Sequence, residues 1–592
     1  MRPTPGLVYL SHSSHRILLP LVLVWAATYV TDLRGFILPR WLVLCAYVLA
    51  IPIAIVVSDT WTSYNNKRDA VSRGAILPKL VGYRWPFGLD TILSLRASFT
   101  TRYLGNAVFD WADQYGYMFR FRVPGETRVF TAEPEHIKRI LATDFSNYEK
   151  GPNFRLQMQT LLGTGVFNSD GDMWKFHRSM TRPFFSKDRI SHFDIFDRHA
   201  SDVIDKIRSR MREGYPIDWQ DLASRFTLDS ATEFLFGRDV QSLSAPLPYP
   251  STAPIANHLS GNSVAMAFSK AFLDAQVTSA GRARVLFPWP LLEIFHDRVA
   301  KPMEIIDKFI DPILKDALEK KTASNIKVEK SGELEISDED TLLSHLVNLT
   351  DDPQILKDET LNILLAGRDT TALTLTCAIY QLAEHPDILR RLREEILNKV
   401  GSARRPTYDD IRDMKYLRAF INEVLRLYPA VPFNVRFTIN PTEWPSQEGE
   451  PPTYIPANTR CLYSVFVMHR RKDLWGPDSL EFDPDRFIDE RLHKYLTPNP
   501  FIFLPFNGGP RICLGQQFAY NETSFMLIRL LQRFSSIALM QDSHPESLPP
   551  AGWARSKGSN GKDRVWLRSH LTMFANGGVW VKMDEAQNIE QV

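Results

Sequence analysis

The chain has 592 residues, of which 44% are hydrophobic and 11% aromatic, and this is enough apolar material for a large core. Its 70 lysine and arginine residues against 68 aspartate and glutamate residues give a formal charge of +2, which argues against a nucleic-acid partner. The four cysteines, Cys45, Cys377, Cys461 and Cys513, are scattered without paired spacing. Neither a zinc site nor a disulfide scaffold is therefore indicated, and a reducing cytosolic environment fits.

Residues 1–60 differ in kind from the rest and are predicted to form a membrane anchor with one or two transmembrane segments. The segment 41–57 carries no charge and approaches the roughly 20 apolar residues that cross a bilayer. The segment 17–30 is apolar but short, and it is a second span, an interfacial helix or part of the anchor. A cleaved signal peptide is the alternative there, although no small-x-small cleavage site follows.

A basic and proline-bearing stretch over 61–88 is predicted to be a hinge, and residues 89–592 are predicted to form one globular domain. Helix-period segments dominate this domain, at 201–212, 226–236, 303–320, 358–383, 386–400, 408–427 and 520–534. The β-like runs at 117–123 and 460–467 are short. The body is therefore predicted to be mainly α with small β-sheets, and the polar segments 320–340 and 543–564 are predicted to be exposed connections.

Trp174 and Arg178 form the first motif with a chemical meaning. They stand one helical turn apart on one face, so the indole N–H and the guanidinium can converge on carboxylates. A surface cation–π pair is the alternative. The spacing thus indicates either an anion-binding helix face or a stacked pair.

A glycine interrupts the long helix predicted over 358–383, in the run Ala366-Gly367-Arg368-Asp369-Thr370-Thr371. Glycine inside a helix costs about 1 kcal/mol relative to alanine, so Gly367 needs a reason, such as the close approach of a ligand plane. Thr370 can bond back to a carbonyl one turn earlier and open a notch for water or dioxygen, beside which Asp369 could relay protons. A solvated acid beside a back-bonding threonine in a structural helix is the alternative.

Glu423 and Arg426 lie three residues apart among apolar neighbours, a pattern that indicates a buried ion pair, with Arg486 as a possible third partner. Further along, the glycine-rich loop 506–515 presents Cys513 two residues after Arg511. Glycines let backbone N–H groups turn toward a thiolate while a flat cofactor lies against the chain, and Arg511 could reach an acidic group on that cofactor. An ordinary buried free cysteine is the alternative.

The run from Phe506 to Gly515 fits F-x-x-G-x-R-x-C-x-G and resembles the haem-binding signature of the cytochrome P450 monooxygenases. The four motifs also follow that family's order, and the resemblance extends over residues 75–592. It implies a cytochrome P450 fold with an N-terminal membrane anchor. It further implies haem b as cofactor and Cys513 as the thiolate ligand of its iron.

The same resemblance implies roles for the other motifs. Trp174, Arg178, Arg436 and Arg511 would bind the haem propionates. Asp369 and Thr370 would supply protons during the activation of O2. The triad of Glu423, Arg426 and Arg486 would stabilise the fold on the haem-loop side.

Within the family, the segments 226–237, 366–371 and 507–519 look like the fungal membrane-bound branch that hydroxylates alkanes and fatty acids. The implied reaction is the insertion of one oxygen atom from O2 into a C–H bond of a long-chain fatty acid or alkane. The alternatives are another apolar substrate (a sterol, a polycyclic aromatic or a xenobiotic), a haem-thiolate isomerase, and a silent membrane-anchored binding protein. Substrate contacts are expected from 157–167, 257–286 and 569–578, and Met266, Phe268, Phe272 and Val277 either line a channel or pack as an ordinary helix.

The resemblance also implies electrons from NADPH through a separate NADPH–cytochrome P450 reductase. This fits a chain in which no dinucleotide-binding G-x-G-x-x-G follows a predicted strand. The expected location is the endoplasmic reticulum membrane with the catalytic domain facing the cytosol, because basic residues follow the segment 41–57.

Overall fold

The computed structural model describes residues 3–185, 193–254, 264–284, 289–324, 341–446, 448–555 and 561–587. Its helices are α1 (Pro5–Leu33), α2 (Arg40–Ser72), α3 (Leu89–Thr100), α4 (Asn106–Tyr115), α5 (Pro134–Lys138), α6 (Pro152–Leu162), α7 (Gly171–Thr181), α8 (Asp194–Arg212), α9 (Trp219–Phe236), α10 (Val264–Arg284), α11 (Ala300–Ser324), α12 (Leu342–Leu349), α13 (Pro353–Glu384), α14 (Pro386–Val400), α15 (Tyr408–Asp413), α16 (Lys415–Leu427), α17 (Val465–Met468), α18 (Lys472–Trp475) and α19 (Gln516–Arg533). Its strands are β1 (Met118–Val123), β2 (Glu126–Thr131), β3 (Tyr148–Glu149), β4 (Ile217–Asp218), β5 (Asn434–Thr438), β6 (Thr442–Trp444), β7 (Thr453–Ile455), β8 (Arg460–Tyr463), β9 (Phe534–Leu539), β10 (Leu567–Ser569), β11 (Met573–Ala575) and β12 (Trp580–Glu585). The predicted mainly α architecture with small sheets is confirmed.

The helix α13 lies at the centre of the body. It is buried on nearly all sides and packs against α9, α16 and α19. Its first half contributes side chains to one hydrophobic cluster of the core and its second half to another, so α13 joins the two.

The largest sheet has the strand order β1-β2-β8-β5-β3. Only the β2–β8 pair within it is parallel, and the others are antiparallel. A three-stranded sheet, β4-β12-β9, and the two hairpins β6–β7 and β10–β11 complete the β-structure of the described ranges. The hairpin β10–β11 matters for the site because its turn lines the cavity described below.

One predicted helix, over 408–427, is wrong as a single element. It consists of α15 and α16, separated by Met414 in an extended conformation. The Glu395 carboxylate accepts hydrogen bonds from the N–H groups of Tyr416 and Leu417, at 2.9 and 2.8 Å, and so caps the second helix. Because the break is one residue long, the spacing of apolar residues over 408–427 still resembles that of a single helix.

The strand predicted over 460–467 is also wrong in its second half. The strand β8 ends at Tyr463, and α17 begins at Val465. The Ser464 hydroxyl accepts a hydrogen bond from the Val467 N–H at 3.1 Å and caps this short helix. The apolar residues after Ser464 are therefore helical.

The two polar segments predicted to be exposed connections are 320–340 and 543–564. Most of the segment 320–340 lies outside the described residues. The segment 543–564 is not simply exposed, because Asp563 is buried and accepts hydrogen bonds from the hydroxyls of Tyr103 and Tyr428, at 2.8 and 2.9 Å. Burial raises the pKa of Asp563.

The helices α1 and α2 pack against each other and expose many apolar side chains. Among the described residues, α2 is the one helix long and apolar enough to cross a membrane, and α1 adds a second if its 43° bend near residue 16 is counted within one span. The helix α2 runs on to Ser72, so residues 61–72 of the predicted hinge are helical. The start of α1 returns to the body, where the Thr4 hydroxyl donates to the Ile294 carbonyl oxygen at 2.6 Å.

Candidate active site

The site is built around the middle of α13. The Thr370 hydroxyl donates a hydrogen bond to the Ala366 carbonyl oxygen at 2.7 Å, which confirms the predicted back-bond. A Cβ added to Gly367 would lie 3.4 Å from the Cβ of Ala231, an ordinary van der Waals distance, so the packing of α9 does not by itself require this glycine. Ala366, Gly367 and Thr370 line an internal cavity of about 720 Å³.

The loop 506–515 presents Cys513 to the same cavity. Gly509 has a left-handed φ of 65°, and a Cβ there would lie 1.8 Å from the Leu141 carbonyl oxygen, so only glycine fits. The Cys513 N–H donates to the Phe506 carbonyl oxygen at 3.1 Å and closes the loop. The Cys513 side chain is thereby exposed to the cavity rather than packed in the core.

Burial raises the pKa of the Cys513 thiol above its ordinary value. The Gly515 N–H and the Arg178 guanidinium favour the thiolate and offset part of this cost. A thiolate at this position would gain further from a metal ion held in the cavity.

Four cationic residues line one part of the cavity wall: Lys150, Arg178, Arg436 and Arg511. We call them the cation group. Arg511 donates to the Asp170 carboxylate at 2.8 Å, and its guanidinium lies 4.6 Å from the centroid of the Trp174 ring. Asp170 also pairs with Arg155 at 3.0 Å, so it neutralises little of the cation group.

Arg178 and Arg436 complete this wall. Arg178 donates to the Ile512 carbonyl oxygen at 3.0 Å and lies 5.9 Å from the Trp174 ring centroid. Arg436 is buried on β5 and donates to the Val435 carbonyl oxygen at 2.8 Å. Both alternatives for the Trp174–Arg178 motif therefore hold. The two side chains form a cation–π pair, and both also line the cavity.

Among the described residues, Asp170 is the one carboxylate that forms an ion pair with the cation group, so positive charge is in excess there. Burial and the nearby Arg436 guanidinium lower the pKa of Arg511 to about 10. Burial, Arg436 and Arg511 together lower the pKa of Lys150 well below its ordinary value. Sequence reasoning missed Lys150, because nothing in its local pattern shows that Arg436 and Arg511 face it. A ligand with more than one carboxylate would offset this concentration of positive charge.

Asp369 is the one predicted site residue that does not line the cavity. Its carboxylate lies 3.6 Å from the Arg368 guanidinium, and the other oxygen, Oδ2, is buried without a hydrogen-bond partner among the described residues. Adjacent residues of a helix face different directions, so Asp369 and Thr370 point apart. The structure thus brings together Trp174, Arg178, Thr370, Arg436, Phe506, Arg511, Cys513 and Gly515 around one cavity.

The cytochrome P450 family model matches residues 91–559 of this chain. The chain belongs to the cytochrome P450 family. A cytochrome P450 monooxygenase of Talaromyces variabilis is 35% identical over 489 residues, 79% of this chain and 82% of the relative. Another, of Aspergillus japonicus, is 32% identical over 541 residues, 91% and 89% of the two chains. Cytochrome P450 52E1 of Candida apicola is 33% identical over 511 residues, 85% and 91%.

The resemblance predicted from the sequence motifs is thereby confirmed. This cytochrome P450 is a monooxygenase of that family, whose members use haem and O2 with an electron donor. The residues around the cavity fit a haem. A thiol, a glycine-rich loop and an excess of guanidinium groups suit a flat ligand that carries a metal and carboxylates.

The triad of this cytochrome P450 is buried as predicted. Arg426 donates twice to Glu423, at 2.6 and 2.8 Å, and Arg486 lies 3.5 Å from the same carboxylate. The Arg426 guanidinium also donates to the carbonyl oxygens of His469 and Ser479. The triad therefore ties α16 to the chain that precedes the cysteine loop, and it lies outside the cavity wall.

The predicted substrate segments contribute unequally to the cavity. Its wall includes Gln157, Met158, Leu162, Val166 and Phe167, then Ala280, Arg282, Ala283 and Arg284, then Ser569, His570, Leu571 and Thr572. Of the two alternatives for Met266, Phe268, Phe272 and Val277, the channel is wrong. Phe268 and Phe272 are buried in the core and stack on each other at 5.9 Å, and neither they, Met266 nor Val277 lines the cavity. Residues 257–263 and 285–286 of the same segment lie outside the described ranges.

The loop after α6 is held on α13 by three polar side chains. Asp358 accepts from the Thr164 N–H at 2.7 Å, Glu359 from the Val166 N–H at 3.1 Å, and Asn362 from the Phe167 N–H at 3.0 Å. A Cβ on Gly163 would lie 2.0 Å from the Asp358 carboxylate, so close approach requires the glycine. These bonds fix the part of the wall that includes Val166 and Phe167.

Glu522 is a buried acid that sequence reasoning missed. It lies on α19 beside Thr371, the residue after Thr370. Burial raises the pKa of Glu522 to about 8, and the hydroxyls of Thr371 and Ser230 offset only part of this effect. The side chain therefore carries a proton at neutral pH.

Proposed function

We propose that this cytochrome P450 inserts one oxygen atom from O2 into a C–H bond at or near the methyl end of a long-chain fatty acid or alkane. The observation that carries the proposal is the cavity, which joins Cys513 and Thr370 to a mainly apolar wall and extends to Tyr9 of α1. The resemblance to the fungal branch that hydroxylates alkanes and fatty acids points the same way.

The membrane helices add a physical reason for an apolar chain. Such a chain partitions into a bilayer with about 0.8 kcal/mol for each buried CH₂. An enzyme anchored by α2, with Tyr9 of α1 in the cavity wall, would meet this substrate in the lipid phase.

The residues around the cavity would hold haem b. Cys513 would ligate the iron, with Phe506 and Gly515 in the loop around it. Trp174, Arg178, Arg436 and Arg511 would bind the propionates, and Lys150 would add a fifth contact. Bound in this way, haem supplies a thiolate-ligated iron at which O2 is activated.

The proton supply would come from two residues of α13. The Thr370 hydroxyl faces the cavity and can hold a proton donor near the reacting oxygen. Asp369 does not line the cavity, and its side chain, which is 13% exposed, would relay protons toward Thr370. A water between the two would connect them.

Selectivity for the chain end would depend on shape. The terminal C–H bonds are stronger than those just inside the chain, so the wall must hold the terminus at the reacting centre. Val166 and Phe167, which α13 fixes in place, are suited to this role because they cannot move aside without breaking the bonds to Glu359 and Asn362.

Electrons would come from NADPH through a separate NADPH–cytochrome P450 reductase. We place the enzyme in the endoplasmic reticulum membrane with its catalytic body in the cytosol. Lys67, Arg68, Arg73 and Lys79 follow the apolar part of α2, and an excess of such residues is typical of the cytosolic side.

The test is a reconstitution of the full-length enzyme with a reductase. Dodecanoate, hexadecane and a polycyclic aromatic are offered at matched concentrations, with NADPH, and the products are analysed for the position of the new hydroxyl. We expect hydroxylation at or near the methyl end of a chain. Turnover confined to the aromatic would defeat the proposal, and product formation without a reductase would contradict the proposed route of the electrons.

A further inference from the structure

The cavity wall contains a second set of arginines, apart from the cation group. These are Arg96, Arg128, Arg282, Arg284 and Arg460. Most of them have an evident role. Arg282 pairs with Glu293 and Asp297, at 2.7 and 2.6 Å, and so joins α10 to the chain before α11.

Arg128 and Arg460 are paired as well, since both contact the Glu126 carboxylate, Arg460 at 3.3 Å. Arg96 is exposed on α3. An exposed guanidinium is well hydrated and needs no partner. Arg284 is the remaining case, and it fits neither description.

Arg284 is the last residue of α10, and its side chain is half-buried between two other elements. The guanidinium stacks 4.6 Å from the centroid of the Phe99 ring on α3. It donates one hydrogen bond, from Nη2 to the His570 carbonyl oxygen in the β10–β11 turn, at 2.9 Å. Among the described residues no carboxylate forms an ion pair with it.

The neighbouring charge makes this position less favourable for a lone cation. Arg568 lies near Arg284 and, together with burial, lowers the pKa of Arg284 to about 10. A guanidinium has five N–H donors, and a single carbonyl leaves most of them available. A half-buried guanidinium without a counter-ion has lost part of its hydration, and an anionic ligand would offset that cost.

We propose that Arg284 binds the carboxylate of a chain-like substrate, so that this cytochrome P450 selects fatty acids over alkanes and fatty alcohols. The inference rests on the proposed function and narrows its substrate class. Phe99 holds the guanidinium plane, and the β10–β11 turn fixes one of its edges, which leaves the other donors for the cavity. Arg and carboxylate can then form two parallel hydrogen bonds.

The test is a binding titration on the haem-loaded, full-length ferric enzyme. The change in its Soret band reports the binding of each ligand. The ligands are dodecanoate, methyl dodecanoate and 1-dodecanol, which share one chain and differ in the head group. In the wild type we expect dodecanoate to bind at least about tenfold more tightly than the ester and the alcohol, the effect of a charge-assisted hydrogen bond.

Arg284→Gln should remove this preference by weakening dodecanoate binding about tenfold or more while the Kd of 1-dodecanol stays within about twofold. Arg284→Lys, which keeps the charge, should retain most of the preference. Arg412→Gln, at an exposed arginine outside the cavity wall, should leave all three Kd values unchanged. An intact CO-bound spectrum shows that each variant is folded.

Two outcomes would overturn the inference while the chain-hydroxylase proposal stands. One is a wild type that binds the three ligands equally. The other is an Arg284→Gln variant that loses acid and alcohol binding alike, which would mark a packing role. A wild type that binds none of the chains but binds a polycyclic aromatic would remove both proposals.

Discussion

Cys513 is the residue on which the cofactor assignment depends. Cys513→Ala should abolish the strongly red-shifted Soret band of the reduced, CO-bound protein, because that band requires a thiolate ligand. Cys461→Ala is the matched control, since Cys461 is buried in β8 away from the cavity and should leave the band unchanged. A band that survives in Cys513→Ala would mean that another residue ligates the iron.

Thr370 can be tested separately from haem binding. Thr370→Ala removes a hydroxyl that faces the cavity but leaves the helix intact, so the CO-bound spectrum should persist while reductant consumption is diverted from product to hydrogen peroxide. The control is Thr376→Ala, which removes the same kind of back-bond, 2.7 Å to the Ala372 carbonyl oxygen, at a position outside the cavity wall. Unchanged coupling in Thr370→Ala would exclude the residue from proton supply.

At this scale the sequence identified residues that belong to short motifs. Cys513, Arg511 and Thr370 are recognisable because their neighbours in the chain carry the pattern. Lys150 and Glu522 are not, since their meaning comes from groups that are distant in sequence and adjacent in space. Arg284 is of the same kind.

Among the elements, α19 carries the buried acid Glu522 against α13, and ionisation of this side chain opposes folding. In the folded protein the pKa of Glu522 is about 8, whereas the ordinary value is 4.5. As pH rises between these values, the unfolded chain loses the proton and the folded chain keeps it, so the free energy of unfolding falls by up to about 1.4 kcal/mol per pH unit. Glu522→Gln removes this loss.

The measurement is urea denaturation of the haem-loaded wild type and Glu522→Gln from pH 5 to pH 8. The variant should become progressively more stable than the wild type as pH rises through this range. A stability difference that stays constant with pH would show that Glu522 does not remain protonated in the folded state.

The buried triad that joins α16 to the chain before the cysteine loop should contribute to stability. Glu423→Ala leaves the Arg426 guanidinium buried without a counter-ion, while Arg486 keeps Asp478, and should lower the free energy of unfolding by about 3–5 kcal/mol. Asp409→Ala breaks an exposed pair with Arg412 and should cost about 1 kcal/mol or less. Urea denaturation measures both, and equal costs would contradict the structural role of the triad.

The type of each element was predictable from periodicity. Its ends were predictable only where a local residue signal marks them. The helix α14 matches its predicted bounds because Pro386 begins it and Gly401 ends it, and both signals are local. The division between α15 and α16 depends on Glu395 of another helix, and the turn of chain after β8 depends on Ser464. The Glu395 cap joins residues distant in the chain and leaves no trace in the local hydrophobic pattern, whereas the Ser464 cap is local and the apolar run after it fits a strand as well as a helix.

For the whole molecule, the anchor should be separable from the haem body. Deleting residues 1–60 removes α1 and most of the apolar part of α2, so membrane retention should fall while haem remains bound. Deleting residues 1–38 keeps α2 and should retain more protein on the membrane. Cell fractionation with a haem assay measures both, and a 1–60 deletion that folds yet stays fully membrane-bound would show that other apolar surface suffices.

The return of α1 to the body has a mechanical consequence. Thr4 is bonded to Ile294 at one point, and the end of α2 is joined at another, where Ala70 packs with Tyr454 and the Ile76 N–H donates to the Pro452 carbonyl oxygen at 2.9 Å. A domain attached to the membrane helices at one point can rotate about that point. Attachment at two points prevents this rotation. Two such attachments would keep the part of the cavity wall that includes Tyr9 turned toward the lipid, so that each encounter with substrate starts from the same orientation.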